Sequence, residues 1–509
     1  MPEPLRAALA GIRAEALGAH VAFLASPALE GRGLGTPGLE AAAEYAAAFL
    51  TLLGVAPLGS EGAGLSAHAR FFQTVPLREV SGFTGELAIE TRRGDGVHRE
   101  SFPAGTECVF DPAGPRDLTT PLAFAGYGIR EEALGRDDYK GLDVRGRIVL
   151  LLGGVPPGET WRTPGLTSRY AADKREDRWK SKIESARALG AAAVIAVDAG
   201  TAGRPGEKED TTPAVCWLPW DKEAEPLRVA YLSGAAARSL LAALGLHGTK
   251  AGEGGSRQLS GTTATFHTAG SERTVEARSV VGYFAGSDPA LRDEAVVIGA
   301  HLDHLGRPGG VIHPGADDNA SGVAALLEIA RGIASLPAAP KRSVVFAFWA
   351  GEEEGKFGSA WFVRHPRWPL SRVAAYINLD MIGHPWLPEE LKRLVADAKL
   401  PDGEGFLSRT KVGEFAEPGL PVDAPELAAA LRWAGPAAGM ALHLDRCDGT
   451  HGGSDYRDFA RVRVPWIRFF GNFFPAYHEA GDTAEALDPA QVQRMARLAL
   501  ATAWRLAER

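Results

Sequence analysis

Three short apolar runs decide the fold: Ala295-Val-Val-Ile-Gly-Ala-His301, Ser343-Val-Val-Phe-Ala-Phe-Trp-Ala350 and Val373-Ala-Ala-Tyr-Ile-Asn-Leu-Asp380. Each is rich in β-branched or aromatic residues and lacks polar alternation, which is the signature of a strand covered on both faces. Between the first two, residues 321–336 (SGVAALLEIARGIASL) carry apolar positions at helical spacing, and VPWIRFFG at 464–471 supplies a fourth run. Strand-helix-strand alternation of this kind predicts an α/β fold, with a mixed, mostly parallel central sheet flanked by helices.

Outward from this core the texture changes. Residues 1 to 58 read as Ala-rich helices broken by the turn-forming Glu30-Gly-Arg-Gly-Leu-Gly-Thr-Pro-Gly38. FFQTVPL and GELAIETRR, between 70 and 110, alternate as strands do. Residues 116–265 form a separate unit with strand candidates LAFAGYGI, GRIVLLLG and AAAVIAVDA and a helix from Lys180 to Leu189. The expected division is therefore 1–115 as the N-terminal part of the main domain, 116–265 as an insertion, and 266–509 as the main part. Residues 389–450 are irregular apart from a helix at 424–434 and read as an excursion over the sheet edge.

The chain's 509 residues, 45% hydrophobic and 23% charged, have ordinary globular composition. A formal net charge of −8 offers no basic footprint, which argues against a nucleic-acid partner. The three cysteines are far apart and form no CxxC, so a metal site here would draw on His and carboxylate. The N-terminal apolar stretch is interrupted by Arg6, Arg13, Glu15 and His20, unlike a secretory signal, and no run approaches the ~18 apolar residues of a membrane span. The expectation is a chain without a membrane span, cytoplasmic by default.

Open α/β sheets bind ligands beyond the carboxyl ends of their strands. There the first strand ends in His301-Leu-Asp303, the next runs into Gly351-Glu352-Glu353-Glu354, and the third ends in Asn378-Leu-Asp380. The loop before the helix carries Asp317-Asp318-Asn319. Each group has an ordinary explanation taken singly: a Glu run is usually solvated, and Asp before a helix is usually a cap. Their conjunction at one sheet edge is harder to explain so, because clustered carboxylates without cations repel. Imidazole plus carboxylate is a zinc-binding mix, and two ions can share one bridging carboxylate, a role that suits Asp318. Asp303 is expected to accept the second N–H of the His301 ring.

These segments resemble zinc metallopeptidase family 28, the aminopeptidase S and aminopeptidase Y group, on GAHLDHLG, PGADDNASGVAALLEIAR, FAFWAGEEEGKFGS, INLDMIG and YHEAGDT, in that order. The resemblance implies a zinc-dependent exopeptidase fold of the phosphorylase/hydrolase-like kind and two Zn2+ per chain. His301, Asp318 and Asp380 would hold one ion, and Asp318, Glu353 and His478 the other. It also implies hydrolysis via a metal-bridged hydroxide with Glu352 as the general base that takes the proton from water, Tyr477 as a stabiliser of the tetrahedral intermediate, and a peptide as substrate. Asp317 competes with Asp318, which is preferred because it directly precedes Asn319-Ala-Ser-Gly. His451 in DGTHGGSDY competes with His478, which fits the family's Tyr-His pattern better.

Residues 116–265 resemble the protease-associated domain often inserted in this family, on Ala125-Gly-Tyr-Gly128, Asp137-Asp-Tyr-Lys-Gly-Leu-Asp143, Gly146-Arg-Ile-Val149, and Lys182 ahead of Ala191-Ala-Ala-Val-Ile195. HVAFLASPALEGRGLGTPG resembles the start of bacterial members, which are often exported. Other readings are a one-zinc glutaminyl cyclase, a carboxypeptidase, and a receptor or scaffold with a dead site. Retention of all the ligand positions favours two metals and hydrolysis.

Overall fold

The computed structural model describes residues 1–509 apart from 63, 106, 112, 172–174, 199–214, 222–226, 247–254, 398–401, 412 and 451. The chain divides into two compact units, Met1–Pro76 with Glu276–Arg509, and Leu77–Val275.

In the first unit the strand Ala295–His301 pairs in parallel with Ser343–Trp349 on one side and with Val373–Leu379 on the other. Trp466–Phe469 extends the parallel set beside Val373–Leu379. Residues 280–284 add an antiparallel strand against 344–348, and Ala56–Pro57 pairs with its other side. The result is a mixed, mostly parallel sheet. Every residue of Ala295–His301 and of Ser343–Trp349 is buried, as their unbroken apolar sequence requires. Gly299 interrupts that apolar run for a steric reason: a Cβ there would lie 2.5 Å from both Trp349 Nε1 and the Tyr376 hydroxyl, which are hydrogen-bonded at 2.9 Å.

Helices Gly322–Ala334 and Pro489–Ala507 pack against this sheet and each other. Glu3–Gly11 and Ala14–Leu24 pack onto these two. The bent pair Glu3–Gly11 and Ala14–Leu24 has the length and composition of a span, but among the described residues no single helix is long and apolar enough to cross a membrane.

The second unit has its own parallel set, Leu118–Phe124, Ile148–Leu152, Ala193–Asp198 and Arg228–Ser233 in spatial order, with Cys108–Phe110 antiparallel at one edge. Helix Arg175–Ala188 packs on Ala193–Asp198. The unit begins at Leu77, earlier than the expected boundary at 116, and ends at Val275, later than 265. The reason is the long strand Phe72–Arg93. It pairs with Gly96–Pro103 and with Val215–Pro219. Val80, Phe83, Leu87 and Ile89 join one core with Leu122, Ile148 and Ile195. Alternation along 70–93 marked strands but carried no sign of which core they would fill.

Candidate metal centre

The carboxyl ends of three neighbouring strands deliver His301, the turn after Trp349, and Asp380. The loop Ala316–Ser321, where Gly322–Ala334 starts, delivers Asp318. Asn319 fixes this loop to the third strand: its Nδ2 donates to Leu379 O at 2.9 Å, and its Oδ1 accepts from Gly322 N at 3.1 Å and Met381 N at 3.2 Å. His478 arrives from a turn after Trp466–Phe469 with φ of 59°, a left-handed conformation uncommon for a residue with a side chain.

These groups converge in two sets that share Asp318. His301 Nε2 lies 3.3 Å from Asp318 Oδ1 and 3.3 Å from Asp380 Oδ1. His478 Nε2 lies 3.1 Å from Asp318 Oδ2 and 3.3 Å from Glu353 Oε2. Ligand atoms held about 2.0–2.1 Å from a tetrahedral ion are separated by roughly 3.3 Å along each edge, so these spacings suit zinc. Among the described residues, His301, Asp318 and Glu353 form a group that can offer ligand atoms all within 4.8 Å of one another. Asp318 turns one oxygen to each set, as a bridging carboxylate must. Asp317 faces elsewhere, its carboxylate accepting from Gly383 N and His384 Nδ1, both at 2.7 Å.

The electrostatics express the same crowding. Burial alone would lower the pKa of the His301 imidazole, yet the Asp380, Glu352 and Asp318 carboxylates raise it well above its ordinary value. Burial likewise lowers that of His478, but hydrogen bonds to Asp318 and Glu353 push it up to about 10. Burial raises that of Asp318, and its contacts with His301 and His478 outweigh that and hold it well below the usual carboxylate range. Protons on the imidazoles thus offset the buried negative charge, a task that divalent cations would take over.

Glu352 is buried, and burial pushes its carboxyl up to about 8, against the pull of Lys356 and His301. Lys356 Nζ stands 2.9 Å from its Oε1. Tyr477 stacks on His478 with ring centroids 3.8 Å apart. Its phenol pKa is raised, first by burial and then by the negative charge of Asp318 and Glu353, so the hydroxyl keeps its proton.

Asp303 departs from expectation in one respect. His301 Nδ1 is 3.1 Å from the Asp303 carbonyl oxygen, whereas the nearest Asp303 carboxylate oxygen is 3.9 Å away. That carboxylate instead accepts from Gly351 N at 2.8 Å and from Glu352 N and Glu353 N, each at 3.1 Å. Three amides of a tight turn outcompete one ring N–H. Asp482, in the YHEAGDT segment, does the same for the opposite loop, accepting from Asp317 N at 2.8 Å and Asp318 N at 3.1 Å.

Sequence reasoning passed over His304, a fully buried side chain whose Nδ1 lies 2.6 Å from Glu353 Oε1. Its place in His301-Leu-Asp-His304 was the available signal. His451 lies outside the described residues.

Residues 279–503 match the family model described as Peptidase family M28. The chain is 32% identical over 108 residues to "Leupeptin-inactivating enzyme 1" of Streptomyces exfoliatus, covering 21% of this chain and 23% of that protein. It is 30% identical over 261 residues to "Probable lipoprotein aminopeptidase LpqL" of Mycobacterium tuberculosis, covering 46% of each. These matches therefore span less than half the length of either relative. Among solved structures, the aminopeptidase from Aneurinibacillus sp. strain AM-1 superposes with a TM-score of 0.51 at 19% identity, over 97% of this chain and 94% of that chain, a likeness of fold. The likeness to peptidase family M28 thus covers residues 279–503, which carry all five candidate ligands.

Proposed function

We propose that the chain is a metal-dependent exopeptidase, an aminopeptidase that holds two zinc ions and hydrolyses the N-terminal peptide bond of its substrate. The observation that carries this reading is Asp318 presenting one oxygen to His301 and the other to His478. The M28 match and the likeness to a probable lipoprotein aminopeptidase support the same class. In this reading His301, Asp318 and Asp380 hold one ion, and Asp318, Glu353 and His478 the other.

The ions, when bound, supply Lewis acidity and lower the pKa of water. Glu352 neighbours the ligand Glu353 without belonging to either set, so its carboxylate is free to take a proton from the attacking water and return it to the leaving amine. Lys356 holds one Glu352 oxygen and leaves the other to work. The protonated Tyr477 hydroxyl donates to the developing oxyanion. Two cations nearby would also pull the Glu352 pKa below its cation-free value, towards a range where it acts as a base.

For residues 77–275 we propose a protease-associated unit, supported by the motifs around Ala125 to Gly128, Asp137 to Asp143 and Lys182. The experiment for the enzyme reading is hydrolysis of aminoacyl-p-nitroanilides, with and without chelator and with zinc restored. Chelator-sensitive release of p-nitroaniline supports it. Absence of release from the zinc-loaded chain across a panel of side chains contradicts it.

A further inference from the structure

Arg32 is 1% exposed, an unusual place for a guanidinium. It belongs to the turn Glu30-Gly31-Arg32-Gly33, far in sequence from every candidate ligand. Its Nε donates to Leu302 O at 2.8 Å, its Nη1 to Pro314 O at 2.8 Å, and its Nη2 to Gly315 O at 2.8 Å. A further bond from Nη1 to Leu24 O fixes the side chain to the C-terminal end of the preceding helix, Ala14–Leu24. Leu302 directly follows His301, and Gly315 lies three residues before Asp318. One side chain therefore ties together the two loops that present His301 and Asp318.

The backbone of the turn adds to the junction. His304 N donates to Arg32 O at 3.2 Å, Gly306 N to Gly31 O at 3.0 Å, and His313 N to Gly306 O at 3.0 Å. Gly31, with φ of 72°, leaves no room for a side chain: a Cβ would stand 2.4 Å from both Gly306 O and His313 O. A planar fork with donors at fixed angles can bridge carbonyls on separate loops, which a single ammonium on a flexible stem cannot do with the same definition. The cation also sits among the carboxylates of Asp482, Asp303, Asp318 and Glu353 and repays part of the cost of burying them.

We propose that Arg32 is a positioning residue for the metal centre, clamping the loop after His301 to the loop before Asp318 and so setting the spacing between these two ligands. The inference rests on the two-zinc reading of the same site. It assigns the GRG turn a role in metal affinity rather than in contact with substrate.

The test is zinc affinity by chelator competition for the full chain and for Arg32→Lys, which keeps the charge and the same backbone demand but loses the fork. The melting temperature of each metal-free protein is measured alongside. The expected result is a zinc Kd raised about 10- to 100-fold in Arg32→Lys, the range for groups that orient ligands. A Kd within twofold of wild type overturns the proposal, including when the metal-free protein melts earlier, since that pattern is a fold effect alone. Should Arg32→Lys fail to fold, hydrogen exchange on the wild-type chain decides. Zinc is expected to slow exchange of the His304 and Gly306 amides, which the Arg32 and Gly31 carbonyls accept, and unchanged exchange overturns the proposal. Wild-type protein that binds fewer than two ions ends the two-zinc reading itself. Two ions with equal affinity in the variant end only the role of Arg32.

Discussion

Oδ2 of Asp318 stands 3.1 Å from Nε2 of His478, across 160 residues of chain. The other oxygen of the same carboxylate faces His301. A buried aspartate between two imidazoles, with further carboxylates behind each, is arranged for cations more than for itself.

Glu352→Gln separates base from ligand. The amide cannot take up a proton but has nearly the same shape. We expect kcat to fall on the order of 10²- to 10⁴-fold, with zinc content unchanged by elemental analysis. Normal turnover would remove Glu352 from the mechanism.

Tyr477→Phe tests the hydroxyl while keeping the ring stacked on His478. The expected loss is about 10²-fold in kcat, typical of one oxyanion donor, with KM and metal content near wild type. A change confined to KM would place Tyr477 in substrate binding instead.

Asp303→Ala deprives the buried amides of Gly351, Glu352 and Glu353 of their acceptor. Each unsatisfied buried donor costs about 1–3 kcal/mol. A clear drop in unfolding free energy by urea titration is expected, together with weaker zinc binding because the same turn carries Glu353. Unaltered stability would mean that water replaces the carboxylate.

How far the sequence was legible follows from the length scale of each signal. The strands at 295 and 343 appear with almost the bounds that their apolar runs suggest, because burial on both faces leaves no choice of residue. The choice between Asp317 and Asp318 rested on a motif, and the fold brings Asp318, not Asp317, to both histidines. What was missed is long-range. Nothing local to Phe72–Arg93 says that its side chains fill the second unit's core. The Asp303 carboxylate was assigned to a neighbour two residues away, when a turn about 50 residues downstream offered three donors. Arg32 read as part of a turn, since its carbonyl partners carry no sequence signature at all.

In the second unit, Lys182 is fully buried and donates to Leu152 O at 2.8 Å and Gly154 O at 2.6 Å. Burial pulls its pKa down from 10.5 to about 7, against Asp138 and Asp198. Because the unfolded chain then binds more protons between pH 7 and 10.5, stability rises with pH across that window. The contribution is smallest below pH 7, where both states are protonated. Wild type should gain on Lys182→Met by up to about 1.4 kcal/mol per pH unit in this range. Urea unfolding of the two proteins at pH 7, 8 and 9 measures it, and a pH-independent difference would rule the linkage out.

The central claim is that five side chains, His301, Asp318, Glu353, Asp380 and His478, close around two ions. Its most direct test is zinc per chain by elemental analysis of the wild type and of His301→Ala after equal exposure to metal. The account predicts two ions in the wild type and at most one in the variant. A wild-type chain that retains fewer than two ions, or a variant that retains both, would contradict it.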